Sequence, residues 1–419
     1  MTNTSDQSNS ACSLSDERQV LLVQYILGGW TSCIIVLFGV FSNGLSILVL
    51  GNSRMRHLST NIYLLSLSIV NLAWLILYFG VNSFRFTLIV PKFLANRDGN
   101  DHHEYDDFVQ RFSPYVVPLM NTLQLCSIYY TVAVSFDRFL YLSYGIQAEA
   151  ICTVRNSLRV ITCITICSIL FILPHWFKYR VELNENNRPQ LKLTSIGENE
   201  LFRKIIHIWL YIPAVYALPF LLLIFINFFT LRLLRKFYLH RRQNLNLTSA
   251  LSTQNNEQRE RDITLMLIAV VLLFFICRFP MLINHIFETK FSLTSYDDRE
   301  SKNSNSTRNI SYDNCRSRRL FNTTVNFLQT INASANLFFY YLFGENFRET
   351  SFQLAKQVRK RVVRRRNTLV ENITYYIQRQ NTNANITLQN RTIDQQQQQQ
   401  QQQSLILLNM EQGGSTRNI

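Results

Sequence analysis

Cysteine is scarce in the polar segments of this 419-residue chain, which limits its covalent chemistry. Six of the eight cysteines fall in or beside apolar segments, where small polarizable side chains commonly pack. No cysteine follows Cys315, which excludes palmitoylation of the residues from there to Ile419. The first ten residues lack the apolar run of a cleaved signal peptide, so we expect the first apolar segment to direct membrane insertion.

The apolar segments also lack clusters of His, Asp or Glu, which argues against a membrane enzyme built on a bound metal. Internal repeats are not evident, and two halves with matching charged or interrupted segments, as many transporters have, are not found. We therefore expect no enzymatic activity, no cofactor and no metal site. A membrane transporter remains the weaker alternative.

What the chain has instead is a series of long apolar runs, several of which exceed the roughly 18 residues needed to cross a bilayer. They predict an all-α membrane protein with a seven-transmembrane helix bundle. Six spans follow from hydropathy, and the seventh, which is rich in Asn, follows partly from its motif. The predicted spans are Gln24–Leu50, Asn61–Phe84, Tyr115–Tyr141, Val160–Phe177, Ile205–Phe229, Ile263–Phe287 and Phe321–Phe343.

The net charge of +15 and the pI near 9.6 could indicate nucleic-acid binding, but the distribution of charge argues against it. Lys and Arg are in large excess on one side of the predicted bundle, and charges nearly balance on the other. The positive-inside rule then places the N-terminus outside and the C-terminus in the cytoplasm. We expect a multi-pass plasma-membrane protein whose basic segments face anionic lipid and cytoplasmic partners.

Four segments follow from this topology. Residues 1–23 form an extracellular tail, 24–343 the membrane domain, 344–355 a short amphipathic helix on the membrane surface, and 356–419 a disordered cytoplasmic tail. This tail contains nine consecutive glutamines, Gln395–Gln403, a composition that cannot bury a core. Its basic run Lys356–Arg366 suits membrane lipids, or is an ordinary charge cluster that stops translocation.

Two extracellular cysteines, Cys12 and Cys315, lie in an oxidising compartment, so a disulfide between them is one possibility and two free thiols the other. Glycosylation sequons on the same side begin at Asn3, Asn305 and Asn309.

Short motifs occur in order along the spans. Span three ends in Ser-Phe-Asp-Arg-Phe, with Asp137, Arg138 and Phe139. Span six contains Phe-Phe-Ile-Cys-Arg-Phe-Pro, in which Pro280 frees a backbone carbonyl and predicts a hinge. The remaining motif positions are Asn43, Asn71, Pro219, Asn336 and Tyr340 in spans one, two, five and seven, followed by Gly-Glu-Asn-Phe-Arg.

Together these motifs resemble those of the rhodopsin-like (class A) G-protein-coupled receptors, over about Gln24–Phe352. Within that superfamily the chain is most similar to the FMRFamide-like and related invertebrate neuropeptide receptors. The subfamily cues are the sequence Ile-Leu-Phe-Ile-Leu-Pro-His-Trp at the end of span four, Asn227 after Pro219, and a residue other than Trp between Cys277 and Phe279.

The chain departs from the family pattern at several positions. Ser113 stands where a cysteine usually begins a disulfide, and the second outer loop has no cysteine either. Loss of that crosslink removes about 2–4 kcal/mol of typical stabilisation. Asn71 replaces an acidic residue, which argues against a sodium site, and Leu337 replaces a proline.

Arg278 is a further departure, because a cation in the centre of a span needs a partner or a wet cavity. It is either the floor of a ligand pocket or a buried Arg that Gln124, Asn326 or water satisfies. The resemblance implies that a pocket forms between spans three, five, six and seven. Its candidate residues are Met120, Gln124, His207, Tyr211, Arg278, His285, Glu288 and Asn326.

The resemblance also implies a conformational switch at the cytoplasmic side. Its candidate residues are Asp137, Arg138, Phe139, Glu260, Asn336 and Tyr340, with a hinge at Phe274, Cys277, Pro280 and Pro219. The family's function predicts a receptor that binds an extracellular peptide and relays the event to a heterotrimeric G protein. Span seven has no Lys for a retinal Schiff base, and Met120 stands where amine receptors have Asp. An atypical receptor that binds ligand without coupling is the main alternative.

Overall fold

The computed structural model describes residues 14–84, 87, 103–184, 188–243, 264–265, 268–287 and 307–413. The described chain is helical except for one two-stranded hairpin and short connections. Two compact units cover it, Met1–Thr350 and Ser351–Ile419.

Most helices of the first unit are long. The first is α1 (Leu14–Val23), which continues through a π-helical segment (Gln24–Thr31) into α2 (Ser32–Leu50). The following helices are α3 (Ser59–Tyr78) with a π-helical end (Phe79–Ser83), α4 (His103–Tyr144), a 3₁₀ turn (Gly145–Gln147), α5 (Ala148–Ile151) and α6 (Val154–Trp176).

After α6 come the hairpin strands β1 (Tyr179–Leu183) and β2 (Pro189–Leu193), then the short helices α7 (Ser195–Glu198) and α8 (Glu200–Arg203). Two π-helical segments (Lys204–Tyr211 and Pro213–Ala217) lead into α9 (Leu218–Gln243). The last helices are α10 (Ile268–Phe287), α11 (Thr307–Ser334), α12 (Asn336–Phe343) and α13 (Glu345–Gly413).

Five described helices are long and apolar enough to cross a membrane: Gln19–Leu50, Ser59–Ser83, Val154–Trp176, Trp209–Lys236 and Ile268–Phe287. The helices that contain the predicted third and seventh spans are not among these five, so hydropathy singles out one span fewer than the six we expected. The reason lies in their surroundings. Helix α4 buries polar side chains such as Thr122, Gln124 and Ser135 against other helices, so it does not need an apolar composition.

The core of the first unit lies between these helices. One buried cluster joins α4, α9 and α10 through Leu125, Ile128, Leu223, Val271 and Phe274. Large apolar side chains on the outer faces of the five apolar helices are more than half exposed, for example Phe41, Leu221, Phe225 and Ile276. Such faces suit the hydrocarbon of a bilayer.

Helices α2 and α11 approach each other closely at Gly39. A Cβ atom added to Gly39 would overlap the Oγ of Ser334, so the contact requires a residue without a side chain. Next to it, the Asn43 amide donates hydrogen bonds to the carbonyls of Gly39 and Ala333 at 2.8 and 2.9 Å. The Ser42 hydroxyl donates to the Ser334 carbonyl at 2.9 Å. The family-like Asn43 therefore holds the first helix to the last one of the bundle.

Helix α13 corrects the expectation for the C-terminal tail. Where the sequence predicted a short helix over 344–355 and disorder beyond it, the structure has one helix, Glu345–Gly413, which includes the glutamine run. Gln, Lys, Arg and Glu all have good intrinsic helix propensity, and the low apolar content that argued for disorder does not oppose a helix. The second unit, described by itself, is the part of this helix from Ser351 onward.

Candidate functional site

A chain of ring contacts connects the outer ends of three helices with the predicted hinge. Tyr211 contacts His175 and His285, with ring centroids 5.3 and 5.6 Å apart. Tyr216, which is fully buried, contacts His285 at 5.4 Å and Phe220 at 6.4 Å. These contacts bring together two of the predicted pocket residues, Tyr211 and His285.

The ring chain continues to the hinge. Phe220 meets Phe274 edge-on, with centroids 5.8 Å apart, and aromatic pairs favour this geometry. Phe274 and Cys277 are both buried, one turn apart on α10, and Pro280 follows on the same helix. The predicted hinge residue Phe274 is therefore in contact with the ring chain, and Cys277 and Pro280 follow it on the same helix.

The segment before Pro219 is irregular. Pro213–Ala217 is π-helical, a form that occurs mostly as short bulges and often at functional sites. The Tyr129 hydroxyl donates to the Ala214 carbonyl at 2.8 Å, so α4 satisfies a backbone acceptor within this bulge. We did not predict Tyr129 as a site residue, because no local pattern marks it.

A buried amide pair joins α4 to α11. The Gln329 side chain donates to the Gln124 carbonyl oxygen at 2.7 Å, and the Gln124 amide donates a weak bond to the Met281 sulfur at 3.8 Å. Both Gln side chains are buried, as is Met120 one turn above Gln124. The structure therefore places Met120 and Gln124 in the interior of the bundle, and it adds Gln329, which was not among the predicted pocket residues.

Arg278 is 3% exposed, and its guanidinium lies 5.8 Å from the centre of the Phe274 ring. Its Nε and Nη1 atoms have no hydrogen-bond partner among the described residues. The two protein partners that could have satisfied it do not do so. The Gln124 carbonyl accepts from Gln329 instead, and half-buried Asn326 makes no bond to Arg278 in the described part of the chain.

Two predicted pocket residues are not described fully. His207 lies in the π-helical segment Lys204–Tyr211, and its side chain is outside the described set. Glu288 lies outside the described residues altogether. Their roles stay predictions.

At the other end of α4, Asp137 is buried and accepts two hydrogen bonds from the start of α3. The Thr60 hydroxyl donates to its Oδ2 atom at 2.6 Å and the Ser59 hydroxyl at 3.0 Å. Cys152, between α5 and α6, lies near the Asp137 backbone carbonyl at 3.9 Å. Burial, and then the nearby Asp137 carboxylate, raise the pKa of the Cys152 thiol to about 11.

The remaining switch residues are placed as follows. Arg138 is buried, with its guanidinium 5.7 Å from the centre of the Tyr141 ring, and Phe139 follows it on α4. Asn336 and Tyr340 are buried on α12, and the Tyr340 ring lies 5.8 Å from Phe347. Glu260 lies outside the described residues, so its pairing with Arg138 stays a prediction.

The polar residues expected at the centre of the bundle make separate contacts. Asn71 accepts a hydrogen bond from the Ser127 hydroxyl at 2.9 Å, and Asn43 bonds to backbone carbonyls. A short break at Ala335 separates α11 from α12, next to Asn336. This break interrupts the helix at the motif in which Leu337 replaces the family's proline.

The hairpin of β1 and β2 packs at the outer end of α4. Its antiparallel register pairs Val181 with Leu191, and the Leu191 amide donates to the Gln110 side chain at 3.2 Å. Gln110 is one helical turn from Ser113, the position at which the family usually has a disulfide. A hydrogen bond therefore connects the second outer loop to α4 where a covalent bond is missing. We had not predicted this contact.

On the same hairpin, Glu182 forms ion pairs with Lys192 at 2.7 Å and Arg180 at 2.6 Å. The hydrogen bond from Lys192, aided by the two positive charges, lowers the pKa of the Glu182 carboxyl. These two ion pairs neutralise the charge of Glu182 on the hairpin.

The expected extracellular modifications lie outside the described side chains. Cys12, Asn3 and Asn305 are outside the described residues. Cys315 and Asn309 fall on α11, but their side chains are not described.

The comparisons with known proteins agree with this arrangement. Residues 42–342 match the family model of the 7 transmembrane receptor (rhodopsin family). The chain is 27% identical over 322 residues to the FMRFamide peptide receptor frpr-18 of Caenorhabditis elegans, covering 76% of this chain and 66% of that protein. It is 27% identical over 324 residues to the FMRFamide receptor of Drosophila melanogaster, covering 75% and 51%.

A third relative, sex peptide receptor-related protein 2 of Caenorhabditis elegans, is 25% identical over 284 residues, covering 62% of this chain and 59% of that protein. The chain thus spans between about half and two thirds of the length of these relatives. The family match covers most of the chain, from the first apolar helix to α12. The chain therefore belongs to the rhodopsin family of seven-transmembrane receptors, which are multi-pass membrane proteins.

Proposed function

We propose that the protein is a receptor for an extracellular peptide and that it relays peptide binding to a heterotrimeric G protein. The family match and the likeness to two FMRFamide receptors support a peptide ligand. The observation that carries the proposal most directly is the ring chain from Tyr211 and His285 to Phe274. It connects Tyr211 and His285, which we predict to line the ligand pocket, with Phe274, which we predict to belong to the hinge on α10.

The proposed mechanism is a shift between two arrangements of the helices. A ligand that contacts Tyr211 and His285 would change the packing of Phe220 on Phe274 and thereby the position of α10 about Pro280. Only the differential affinity of the ligand for the two arrangements can move the equilibrium. Arg138, Asn336 and Tyr340 would then present a cytoplasmic surface to the G protein.

In the proposed orientation the N-terminus lies outside the cell and the C-terminus lies on the cytoplasmic side of the plasma membrane, as the charge distribution favours. The first part of α13, up to residue 355, would lie along the membrane surface as the amphipathic eighth helix of the family. Buried Phe347, which packs near Tyr340, supports this assignment, as does the apolar Phe352.

The test is to challenge cells that express the full chain with a library of neuropeptides, including FMRFamide-related peptides, and to record calcium and cyclic AMP together. We expect at least one peptide to give a saturable signal in either channel. Arg138→Ala should abolish the signal but leave surface expression and labelled-peptide binding unchanged. Peptide binding with no signal from the unaltered chain would favour the non-coupling receptor. Neither binding nor signal across the library would contradict the proposal.

A further inference from the structure

Arg278 carries a positive charge inside the helix bundle, and no acidic side chain among the described residues pairs with it. It is 3% exposed, and two of its guanidinium nitrogens have no hydrogen-bond partner among the described residues. A buried charge is costly unless it is paired and hydrogen-bonded. The Phe274 ring at 5.8 Å lies near the outer limit of a cation–π contact and offers no acceptor for the N–H groups.

The predicted spans contain few carboxylates that could balance the charge of Arg278. The seven predicted spans contain one acidic residue, Asp137. It lies 13 residues after Gln124 on α4, or about 20 Å along a helix. Its Oδ2 atom accepts hydrogen bonds from Ser59 and Thr60. Asp137 is therefore too distant to neutralise a cation at the level of the Gln124–Met281 contact.

The polar side chains near Arg278 do not replace a carboxylate as its partner. The Gln124 carbonyl, which lies across the bundle near Met281, already accepts the 2.7 Å bond from Gln329. The groups that interact electrostatically with Arg278 are Tyr216, Cys277 and Tyr211. These side chains are neutral, so they do not balance the charge of the guanidinium.

A second cation lies at the outer side of the same cluster. Lys178, at the start of the hairpin segment, interacts electrostatically with both His175 and His285. These two rings contact Tyr211 from opposite helices, α6 and α10. The ring cluster thus has positive charge at its outer side, from Lys178, and at its inner side, from Arg278.

We propose that this pocket recognises an anionic group, a carboxylate or a comparably small monoanion, and that Arg278 is the residue that binds it. Guanidinium and carboxylate form short, charge-assisted and often bidentate hydrogen bonds, which would use the unpaired Nε and Nη1. Lys178 attracts the anion at the outer side. The anion is either part of the receptor's ligand, an origin that rests on the proposed peptide function, or a small ion from solution.

The binding test uses probes rather than an unknown ligand. Thermal unfolding of the purified full-length protein is followed with increasing benzoate or benzamide, two probes of similar size and shape that differ in charge. We expect benzoate to raise Tm in a saturable way and benzamide to have no effect. A parallel titration replaces gluconate with chloride at constant ionic strength. A chloride response identifies a small ion as sufficient, whereas a benzoate response alone identifies a carboxylate on an organic ligand.

Variants then assign the effect to Arg278. Arg278→Met should abolish the benzoate response, whatever the removal of a buried charge does to Tm itself, and Arg278→Lys should retain part of the response. Lys178→Gln should weaken the response several-fold. Phe279→Met changes an exposed neighbour on the same helix and should respond like the unaltered protein. Equal responses to benzoate and benzamide, or a benzoate response that survives in Arg278→Met, would overturn the proposal.

A signalling experiment separates this proposal from the peptide function. Any peptide that activates the receptor is compared with paired analogues in which one position is Glu or Gln, or in which the C-terminus is a carboxylate or an amide. We expect the acidic member of one pair to be at least about tenfold more potent and this preference to disappear in Arg278→Met. If no peptide acts on the receptor, the peptide function fails while the benzoate titration still decides the anion site.

Discussion

Thr60 donates a 2.6 Å hydrogen bond to the Asp137 carboxylate, which joins the start of α3 to the end of α4. Ser59 adds a second bond to the same oxygen atom. Asp137 immediately precedes Arg138, so the rotamer of this carboxylate influences what the neighbouring guanidinium can reach. The family motif at the end of the third span is therefore held by two hydroxyl groups 77 and 78 residues earlier in the chain.

We predict that Thr60→Val, which keeps the side-chain shape, will raise ligand-independent signalling and lower thermal stability. Hydrogen bonds to charged groups contribute about 1.5–3 kcal/mol, and Ser59 retains part of the interaction. A change of about 1.4 kcal/mol alters a two-state population roughly tenfold. Basal calcium and cyclic AMP at equal surface expression measure the effect. Thr60→Ser keeps the hydroxyl and serves as the control, and equal basal signals in both variants would contradict the prediction.

Glu260 provides a second restraint on Arg138 in our prediction. It precedes Pro280 by 20 residues, which corresponds to about 30 Å along one helix and reaches the cytoplasmic level of Arg138. The alternative is that Glu260 pairs only with Arg259 or Arg261 on its own helix. We expect Glu260→Ala to raise basal signalling and Glu260→Gln to have a similar effect, since both remove the charge. Unchanged basal activity at equal expression would leave Asp137 as the acidic partner in the switch.

Ligand affinity should not distinguish sodium from potassium. Asn71 is buried and accepts a hydrogen bond from Ser127, but it carries no formal charge to attract a cation. Radioligand or labelled-peptide binding in equal concentrations of the two chlorides measures this. Asn71→Asp restores a carboxylate and is the informative companion variant, in which we expect sodium selectivity to appear. A clear sodium-selective effect in the unaltered chain would show that other oxygen atoms form the site.

The extracellular disulfide can be tested directly. Cys12 and Cys315 are the cysteines in predicted extracellular segments, so non-reducing peptide mapping should recover them joined. A bridge between distant segments constrains the unfolded chain and typically adds about 2–4 kcal/mol of stability. Cys12→Ser and Cys315→Ser should lower Tm equally, and the double variant should lower it no further. Unequal or additive losses, or free thiols in the map, would contradict the pairing.

Cys152 should react slowly with iodoacetamide at neutral pH. The thiolate is the reactive form, and burial beside the Asp137 carboxylate raises the pKa of this thiol to about 11. The labelling rate should therefore keep rising well above pH 9. Asp137→Asn removes the negative charge, so it should lower the pKa and speed labelling at a given pH. Mass spectrometry of the peptide that contains Cys152 gives the rate. A rate that levels off near pH 9 in the unaltered protein would show an ordinary thiol.

Sequence periodicity and composition were sufficient to predict much of this protein. Apolar runs of the right length predicted six spans, and five of these are confirmed as helices apolar enough to cross a membrane. The lipid-facing residues of a membrane helix must be apolar whatever its neighbours are. Short motifs at Asn43, Asp137, Pro280 and Tyr340 were sufficient to identify the family, which the match over residues 42–342 confirms.

Composition predicted the membrane spans less well for helices that are surrounded by other helices rather than by lipid. The helices that contain spans three and seven carry buried polar side chains, such as Gln124, Asn332 and Asn336, and fall short of the apolar content of the other five. The C-terminal helix α13 is a case in which a polar composition led us to expect disorder and the structure has a helix. A polar composition rules out a buried core for residues 356–413, but it does not rule out a helix formed from residues with good helix propensity.

What the sequence determined by itself was local: which segments are long apolar helices, where proline weakens them, and which side chains carry charge within the membrane. Only the tertiary structure decided which distant groups meet. Gln329 and Gln124 are 205 residues apart in the chain, and Gln124, which we expected as a partner of Arg278, bonds to Gln329 instead. Such contacts depend on how whole helices pack, and helix packing brings together residues whose separation in sequence follows no local period.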